Sequence, residues 1–294
     1  MKQIRQNHYV LNNKEKTELL NIVNDVGERL VPGIVPIYDY LTHLSRYVFF
    51  SKFISKSATV LDAACGTGYG SYYIADKCGS VIGLDSSSKA INYAKTKYLA
   101  RNSNITFEVA DLEKKISINT SSADVVFSFE TIEHLHDTDT FLKQCHRILK
   151  DDGILILSTP NKNLSNGNNP HHINELYLNE LLTKLSRNRF LITGLYGQDM
   201  LNETKSVAIL QKIINKITVV GRFLPSVIKT FTIDYFLMKK VTRLKYSCIK
   251  SYRRNPDEWI KSNNIPIEML PKKVLNTDFL ENNFRDLCIV SQKI

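Results

Sequence analysis

Residues 58–71 read Ala58-Thr59-Val60-Leu61-Asp62-Ala63-Ala64-Cys65-Gly66-Thr67-Gly68-Tyr69-Gly70-Ser71. Ala58 to Leu61 is a short apolar, partly β-branched run of the kind a buried parallel strand needs. It runs into Asp62 and then into a glycine-rich loop, where the backbone can turn sharply and let a ligand approach closely. Tyr72, Tyr73 and Ile74 suit a helix packing back onto the sheet. Strand, glycine loop and helix together form a nucleotide-cofactor site.

Charge narrows the choice of cofactor. A dinucleotide fold sets a pyrophosphate at this loop. The Asp62 carboxylate would repel it, yet would welcome a donor without phosphates that carries an amino group and a sulfonium. The following elements repeat the pattern. Ser80 to Asp85 is a second strand ending in an acid, 19 residues beyond Gly66, near the ~20 at which a carboxylate meets a ribose. A carboxylate accepts hydrogen bonds from two adjacent hydroxyls. Ser86 or Ser87 can cap the next helix, whose apolar stripe is Ala90, Ile91, Ala94 and Tyr98. A third strand, Ile105 to Ala110, ends at Asp111, where the acid and the Leu112 N–H can read an adenine edge. Three successive strands closing on Asp62, Asp85 and Asp111 are hard to explain by structure alone.

Ala123 to Phe129 reads as a fourth buried strand, followed by Glu130-Thr131-Ile132-Glu133-His134-Leu135. A helix follows with Phe141, Leu142, Cys145, Ile148 and Leu149 on one face, ended by Asp151-Asp152-Gly153. Ile154 to Thr159 is a fifth strand, Phe190 to Tyr196 a sixth and Asp286 to Ser291 the last. Such alternation implies an α/β, doubly wound parallel sheet with ligands beyond the carboxyl ends of its strands. Upstream, Tyr38, Leu41, Leu44, Tyr47, Val48 and Phe53 recur at helical spacing after Pro36. Arg46, one residue off that stripe, is a candidate partner for a cofactor carboxylate.

This ordered set resembles class I S-adenosylmethionine-dependent methyltransferases over roughly residues 58–160. The segment 128–135 and Leu157-Ser158-Thr159-Pro160-Asn161 resemble the branch related to ubiquinone-biosynthesis methyltransferases. Segments 27–33, 43–47, 169–172 with 175–177, and 196–198 are similar to bacterial methyltransferases linked with surface-polysaccharide pathways. The resemblance implies a Rossmann-like, seven-stranded sheet whose last strand inserts antiparallel. It implies S-adenosyl-L-methionine held by Arg46, Asp62, Ala64, Gly66, Gly68, Asp85, Ser86, Asp111, Leu112 and Glu130. It also implies a hydroxyl or amine acceptor on a sugar, glycan or other small molecule. The expected domains are an N-terminal helical cap (1–54), the cofactor domain (55–200), a basic helical insertion (201–280) and the final strand (281–294).

Catalysis of methyl transfer is chiefly positioning, with a base where the acceptor is a hydroxyl. His134 and His172 are the candidate bases, with Glu130 beside them. Glu130, Glu133, His134 and His172 also resemble in type the metal-binding set of small-RNA 2′-O-methyltransferases. That family's Trp-bearing context is missing, and the expectation is of no metal. Cys65 is expected to be a small buried filler.

Composition sets the outer bounds. Hydrophobic content of 43% and charged content of 23% are ordinary for a globular chain. Five scattered cysteines without a Cys-x-x-Cys pair argue against disulfide frameworks and zinc knuckles, and make a reducing cytoplasm the expected home. No secretory leader or membrane span is legible. Lys205 to Arg254 contains twelve Lys or Arg and one acid, Asp234, so this segment carries the whole of the net +10. Its apolar stripes flanked by bases fit a solvated cap over the acceptor or a contact with an anionic membrane at the inner face. A nucleic-acid contact, and with it an RNA methyltransferase, is the alternative enzyme reading. A non-catalytic subunit that binds a partner through this segment is the third.

Overall fold

The computed structural model describes residues 29–198 and 270–294, apart from Gly33, Pro36 and Asn276. Its strands are β1 (Thr59–Ala63), β2 (Ser80–Asp85), β3 (Ile105–Val109), β4 (Ala123–Phe129), β5 (Leu149–Pro160), β6 (Phe190–Gln198), β7 (Lys272–Val274) and β8 (Asp286–Lys293). The described helices are α1 (Ile37–Phe50), α2 (Tyr69–Ala75), α3 (Ser88–Tyr98), α4 (Thr138–Ile148), α5 (Leu178–Arg187) and α6 (Thr277–Asn283). All eight strands join one sheet in the order β3-β2-β1-β4-β5-β8-β6-β7. The pairs from β3 through β5 are parallel. As expected, β8 enters antiparallel, between β5 and β6.

The sheet is buried on both faces because its strands are nearly continuously apolar. Alternate residues feed opposite layers. Val60, Val125, Phe127 and Ile156 meet Leu44, Tyr47, Ile74, Ile91 and Tyr98 on one side. Leu61, Val126, Leu155 and Leu157 meet Phe141, Cys145, Ile148, Leu181 and Leu185 on the other. Each such fully buried aliphatic side chain contributes about 2 kcal/mol of transfer free energy. Helix α3 starts where Ser87, not Ser86, accepts from Ala90 N at 3.2 Å, and α4 starts where Asp137 accepts from Thr140 N at 2.9 Å.

Among the described residues the sheet has eight strands, where seven were expected. The extra strand, β7, is three residues long and two of them are lysines, so no apolar run announced it; it pairs antiparallel with Leu195–Gly197 of β6. The sheet therefore resumes at Lys272, inside the stretch read as helical insertion. Helix α4 stops at Ile148, and Leu149 already pairs with Ala123. Asp151-Asp152-Gly153 lies in a bulge of β5 where Asp152 turns to φ 62°, before Ile154 regains register with Val125. Phe53 falls beyond α1, in a 3-10 turn from Ser51 to Phe53. The first 28 residues of the cap and the basic stretch 199–269 lie outside the described residues. No helix among the described residues is long and apolar enough to cross a membrane.

Strand order reverses between β1 and β4, one leading outward to β2 and β3, the other to β5. In a doubly wound sheet the crevice at such a switch point is where ligands sit.

Candidate active site

A cavity of about 710 Å³ opens at that switch point, a size typical of small-molecule sites. Its floor is the set of turns leaving the parallel strands: Ala64, Cys65 and Gly66 after β1, Asp85 and Ser86 closing β2, Asp111 and Leu112 after β3, and Phe129 and Glu130 at the end of β4. His43 and Tyr47 of α1 cover it, with Arg29 and Leu30 at the edge. Asn169, His171 and His172 close the far side beside Thr131 and His134. Ala64 (φ 66°), Gly66 (φ 58°) and Glu130 (φ 51°) are left-handed. For the alanine and the glutamate this is stored strain, concentrated on the turns flanking the crevice.

Asp85 is the most organised group on the floor. It is almost wholly buried; Oδ2 accepts from Gly66 N at 3.0 Å, and Oδ1 accepts from Ser87 N at 2.8 Å and Arg29 Nε at 2.7 Å. Arg29 also donates to the Ser86 hydroxyl at 3.2 Å. Asp111 is half exposed and pairs with Lys114 at 2.9 Å; the lysine and the Glu113 N–H hold its carboxyl below the usual range. Among the described residues, Asp85, Asp111, Glu113 and Glu130 set four carboxylates on the cavity wall against the one guanidinium of Arg29. That balance suits a cationic sulfonium donor with a ribose and repels a pyrophosphate.

Nine of the twelve residues expected in the site line the cavity: Ala64, Gly66, Asp85, Ser86, Asp111, Leu112, Glu130, His134 and His172. Gly68, Asp62 and Arg46 stand behind it. A Cβ on Gly68 would lie 2.8 Å from Ala94 and from Phe107, so this glycine (φ 81°) lets the loop pack on α3 and β3. Asp62 is fully buried, accepting from the Tyr47 hydroxyl at 3.0 Å and the Ser71 hydroxyl at 2.6 Å. Burial pushes its pKa up to about 6 against those two hydrogen bonds. It braces the loop from beneath, through Tyr47, instead of facing the donor. The same tyrosine ring explains Gly70, where a Cβ would lie 2.1 Å from Tyr47 Cζ.

Arg46 is neither a surface charge nor on the cavity wall. It is fully buried, donating from Nε to Gln198 Oε1 at 2.8 Å and from Nη2 to Asp286 Oδ2 at 2.7 Å, with Nη1 3.3 Å from Glu130 Oε1. Helix α1 thus turns a cation inward, where three strand ends bring the polar groups that can satisfy it. Burial pushes Asp286 up to about 7, helped by the nearby Glu130 charge and opposed by Arg46. Burial would also raise Glu130, but the Arg46 charge, helped by the Ser158 hydrogen bond, outweighs it and holds that carboxyl low. His43 is pushed down to about 4 by burial and by Arg46, so it is neutral at pH 7.

The histidine-bearing part of the lining is built by two segments that hydrogen-bond each other. Asn174 donates from its backbone N to Glu133 O at 2.9 Å and from its side chain to Leu135 O at 3.3 Å. This brings the His134 and His172 rings edge to face, centroids 5.0 Å apart. His134 Nδ1 lies 2.9 Å from the His171 carbonyl oxygen and His172 Nδ1 2.7 Å from Glu175 Oε1. Both oxygens only accept, so in the neutral ring each Nδ1 carries the proton and Nε2 the lone pair. Glu133 is fully buried; Oε2 accepts from the Thr159 hydroxyl at 2.9 Å, while Oε1 has no hydrogen-bond partner among the described residues. Burial and the Glu130 charge push its pKa well up.

The sequence reading missed Arg29, His43 and Tyr47 as site residues. Tyr47 sat in the apolar stripe of α1 and read as core, and Arg29 belonged to a Gly- and Pro-bearing loop with no periodicity. Only the tertiary placement of α1 over the strand ends reveals them. Cys65 is buried as expected, and Cys78, Cys145 and Cys288 are likewise free and buried; Cys248 lies outside the described residues.

A family model described as a methyltransferase domain matches residues 54–219, and the chain belongs to that family. A protein named as a probable S-adenosylmethionine-dependent methyltransferase of Mycolicibacterium smegmatis is 32% identical over 182 residues, covering 58% of this chain and 66% of that one. The ubiquinone biosynthesis O-methyltransferase of Pelagibacter ubique is 34% identical over 109 residues, 37% of this chain and 45% of the relative. The solved structure of Haemonchus contortus phosphoethanolamine N-methyltransferase 2 in complex with S-adenosyl-L-methionine is 16% identical. It has a TM-score of 0.51 over 94% of this chain and 57% of that one, and shares the fold. The chain spans just under two thirds of the length of the mycobacterial relatives it matches. Fold and family together make residues 54–219 a methyltransferase domain of the class I, S-adenosylmethionine-dependent type.

Proposed function

We propose that the protein transfers the cofactor's methyl group to a hydroxyl oxygen of a small polar acceptor, a saccharide or glycan intermediate being the favoured class. The observation that carries this reading is the imidazole–carboxylate group of His134, His172 and Glu130, which lines the same cavity as the glycine loop. The cofactor supplies an electrophilic methyl on a sulfonium. Asp85 would accept from the ribose hydroxyls, Asp111 and the Leu112 N–H would hold the adenine, and the Gly66 turn would let the donor lie close to the backbone. Ala64 and Ser86 complete the wall around it. A hydroxyl must give up its proton as it is methylated, and an amine can act simply by being unprotonated. Two imidazoles with fixed tautomers are equipment for the first case. Mixed acids, imidazoles and Asn169 on the acceptor side fit a polyhydroxylated molecule.

The test is methyl transfer from methyl-tritiated cofactor into cell-envelope saccharides, small-molecule extract and total RNA, each assayed separately. Label in a hydroxyl-bearing saccharide or small molecule supports the reading; label confined to RNA contradicts it. His172→Gln is expected to cut kcat by about 10²–10⁴ while cofactor affinity stays unchanged. The basic stretch from Lys205 to Arg254 supports a contact with anionic lipid, which would bring a lipid-linked acceptor to the cavity. Equal flotation with neutral and anionic vesicles would remove that part.

A further inference from the structure

We propose that Glu130 and His43 anchor a protonated amino group of the acceptor, so that the substrate is an amino-bearing polyol, an amino sugar in kind, methylated on a hydroxyl near its amine. The inference rests on the reading of the imidazole–carboxylate group as the acceptor side. It adds the charge of the molecule that this side takes.

The Glu130 carboxylate is held through one oxygen and open at the other. Oε1 accepts from the Ser158 hydroxyl at 2.8 Å and lies 3.3 Å from Arg46 Nη1. Oε2 has no hydrogen-bond partner among the described residues, and the 18% of the side chain that is exposed belongs to a residue lining the cavity. The residue stands at φ 51°, a left-handed conformation that a glutamate keeps only where its surroundings hold it there, as ligand sites do. Burial works against the charge, yet Arg46 and the Ser158 hydroxyl keep the carboxyl ionised. A strained, ionised carboxylate with one open oxygen is a site for a cation.

Its neighbours place that oxygen among the imidazoles. His172 acts on the Glu130 charge, and Glu130 in turn acts on His43, whose ring is kept neutral by burial and by Arg46. His43 lines the cavity one helical turn before Tyr47, and no described residue hydrogen-bonds its ring. A neutral imidazole can accept from an ammonium through its lone pair. Among the described residues the cation on the cavity wall is Arg29, which is tied to Asp85 and Ser86 at the ribose end. Arg46 is committed behind the wall to Gln198 and Asp286. A phosphate or carboxylate on the acceptor would therefore meet Glu130 with no cation left to pair with it. An ammonium meets an open carboxylate oxygen, the His43 ring and the aromatic rings of Tyr47 and Phe129, which line the same cavity. A protonated amine has no lone pair, so it serves as the anchor and the methyl goes to the hydroxyl.

The test is isothermal titration of the full chain, saturated with S-adenosyl-L-homocysteine, at a pH where the amine of D-glucosamine is protonated. The probes are D-glucosamine, N-acetyl-D-glucosamine, D-glucuronate and D-glucose 6-phosphate. D-glucosamine should bind about tenfold or more tighter than each of the others, the worth of a hydrogen bond between charged groups. Glu130→Gln should erase that preference and leave S-adenosyl-L-methionine affinity unchanged, and His43→Leu should reduce the preference about threefold. No D-glucosamine binding, equal binding of its N-acetyl form, or tighter binding of either acid would overturn the proposal. So would a Glu130→Gln chain that keeps the preference, or one that loses S-adenosyl-L-methionine instead, since Glu130 would then serve the donor. Should Glu130→Gln fail to fold, the probe series on the native chain decides. Methylated hydroxyls without any D-glucosamine preference sink this inference alone, whereas the preference without label in any hydroxyl sinks the hydroxyl reading alone.

Discussion

Arg46 Nη2 donates to Asp286 Oδ2 at 2.7 Å, joining residues 240 positions apart in the chain. The contact fixes helix α1, which covers the cavity, to the start of β8, the strand that enters the sheet last. Gln198 reinforces it, taking Arg46 Nε on one side and donating to Thr42 O at 3.0 Å on the other. The cap and the sheet are therefore one electrostatic unit. Arg46→Met leaves the buried Asp286 and the largely buried Glu130 without their cation, and we expect it to cost about 3–5 kcal/mol in urea unfolding. Arg46→Met/Asp286→Asn should recover part of that loss. A loss under 1 kcal/mol would show that the network is incidental.

Gly70 and Gly167 make a matched pair. A Cβ at Gly70 falls inside the Tyr47 ring, while at Gly167 (φ 65°) it meets nothing within 4 Å. Gly70→Ala is expected to lose about 1–3 kcal/mol and to weaken cofactor binding, because displacing Tyr47 disturbs both the Asp62 brace and the cavity roof. Gly167→Ala should lose only about 1 kcal/mol, from backbone strain alone. Thermal melts and calorimetry on both variants check this.

Asp62 gives a pH signature. Its folded pKa of about 6 lies above the ordinary 3.8, with burial the main cause. Between those values the folded chain keeps a proton that the unfolded chain has lost. The group's contribution to stability is thus full below about pH 4 and declines as pH rises to 6. Asp62→Asn lacks this titration. Its stability relative to the native chain should rise across that window by up to ~3 kcal/mol, measured by urea unfolding at pH 4, 5, 6 and 7. A gap that does not change with pH would contradict it.

Much of this organisation was legible in the sequence because local pattern and global topology agree. The acids Asp62, Asp85 and Asp111 at the strand ends and the place of His134 and His172 near the carboxyl edge follow from element order in a doubly wound sheet, while the antiparallel last strand was implied by the family resemblance. Burial depth was not legible. Arg46 and Asp62 both carry charge, and only the partners supplied by Gln198, Asp286, Tyr47 and Ser71 show that these charges face inward. β7 was missed because three residues, two of them lysines, carry no strand period. The full burial of Glu133 against the Thr159 hydroxyl was not legible either, nor was the tie of Glu130 to Arg46 and Ser158.

The central claim is that the turns after β1, β2 and β3 hold S-adenosyl-L-methionine, with Asp85 as the ribose-binding carboxylate. Isothermal titration of the full chain with this cofactor tests it most directly. We predict saturable one-to-one binding, weakened roughly 10–100-fold in Asp85→Ala, the worth of hydrogen bonds to a charged group. No binding heat, or affinity unchanged in Asp85→Ala, would contradict the account.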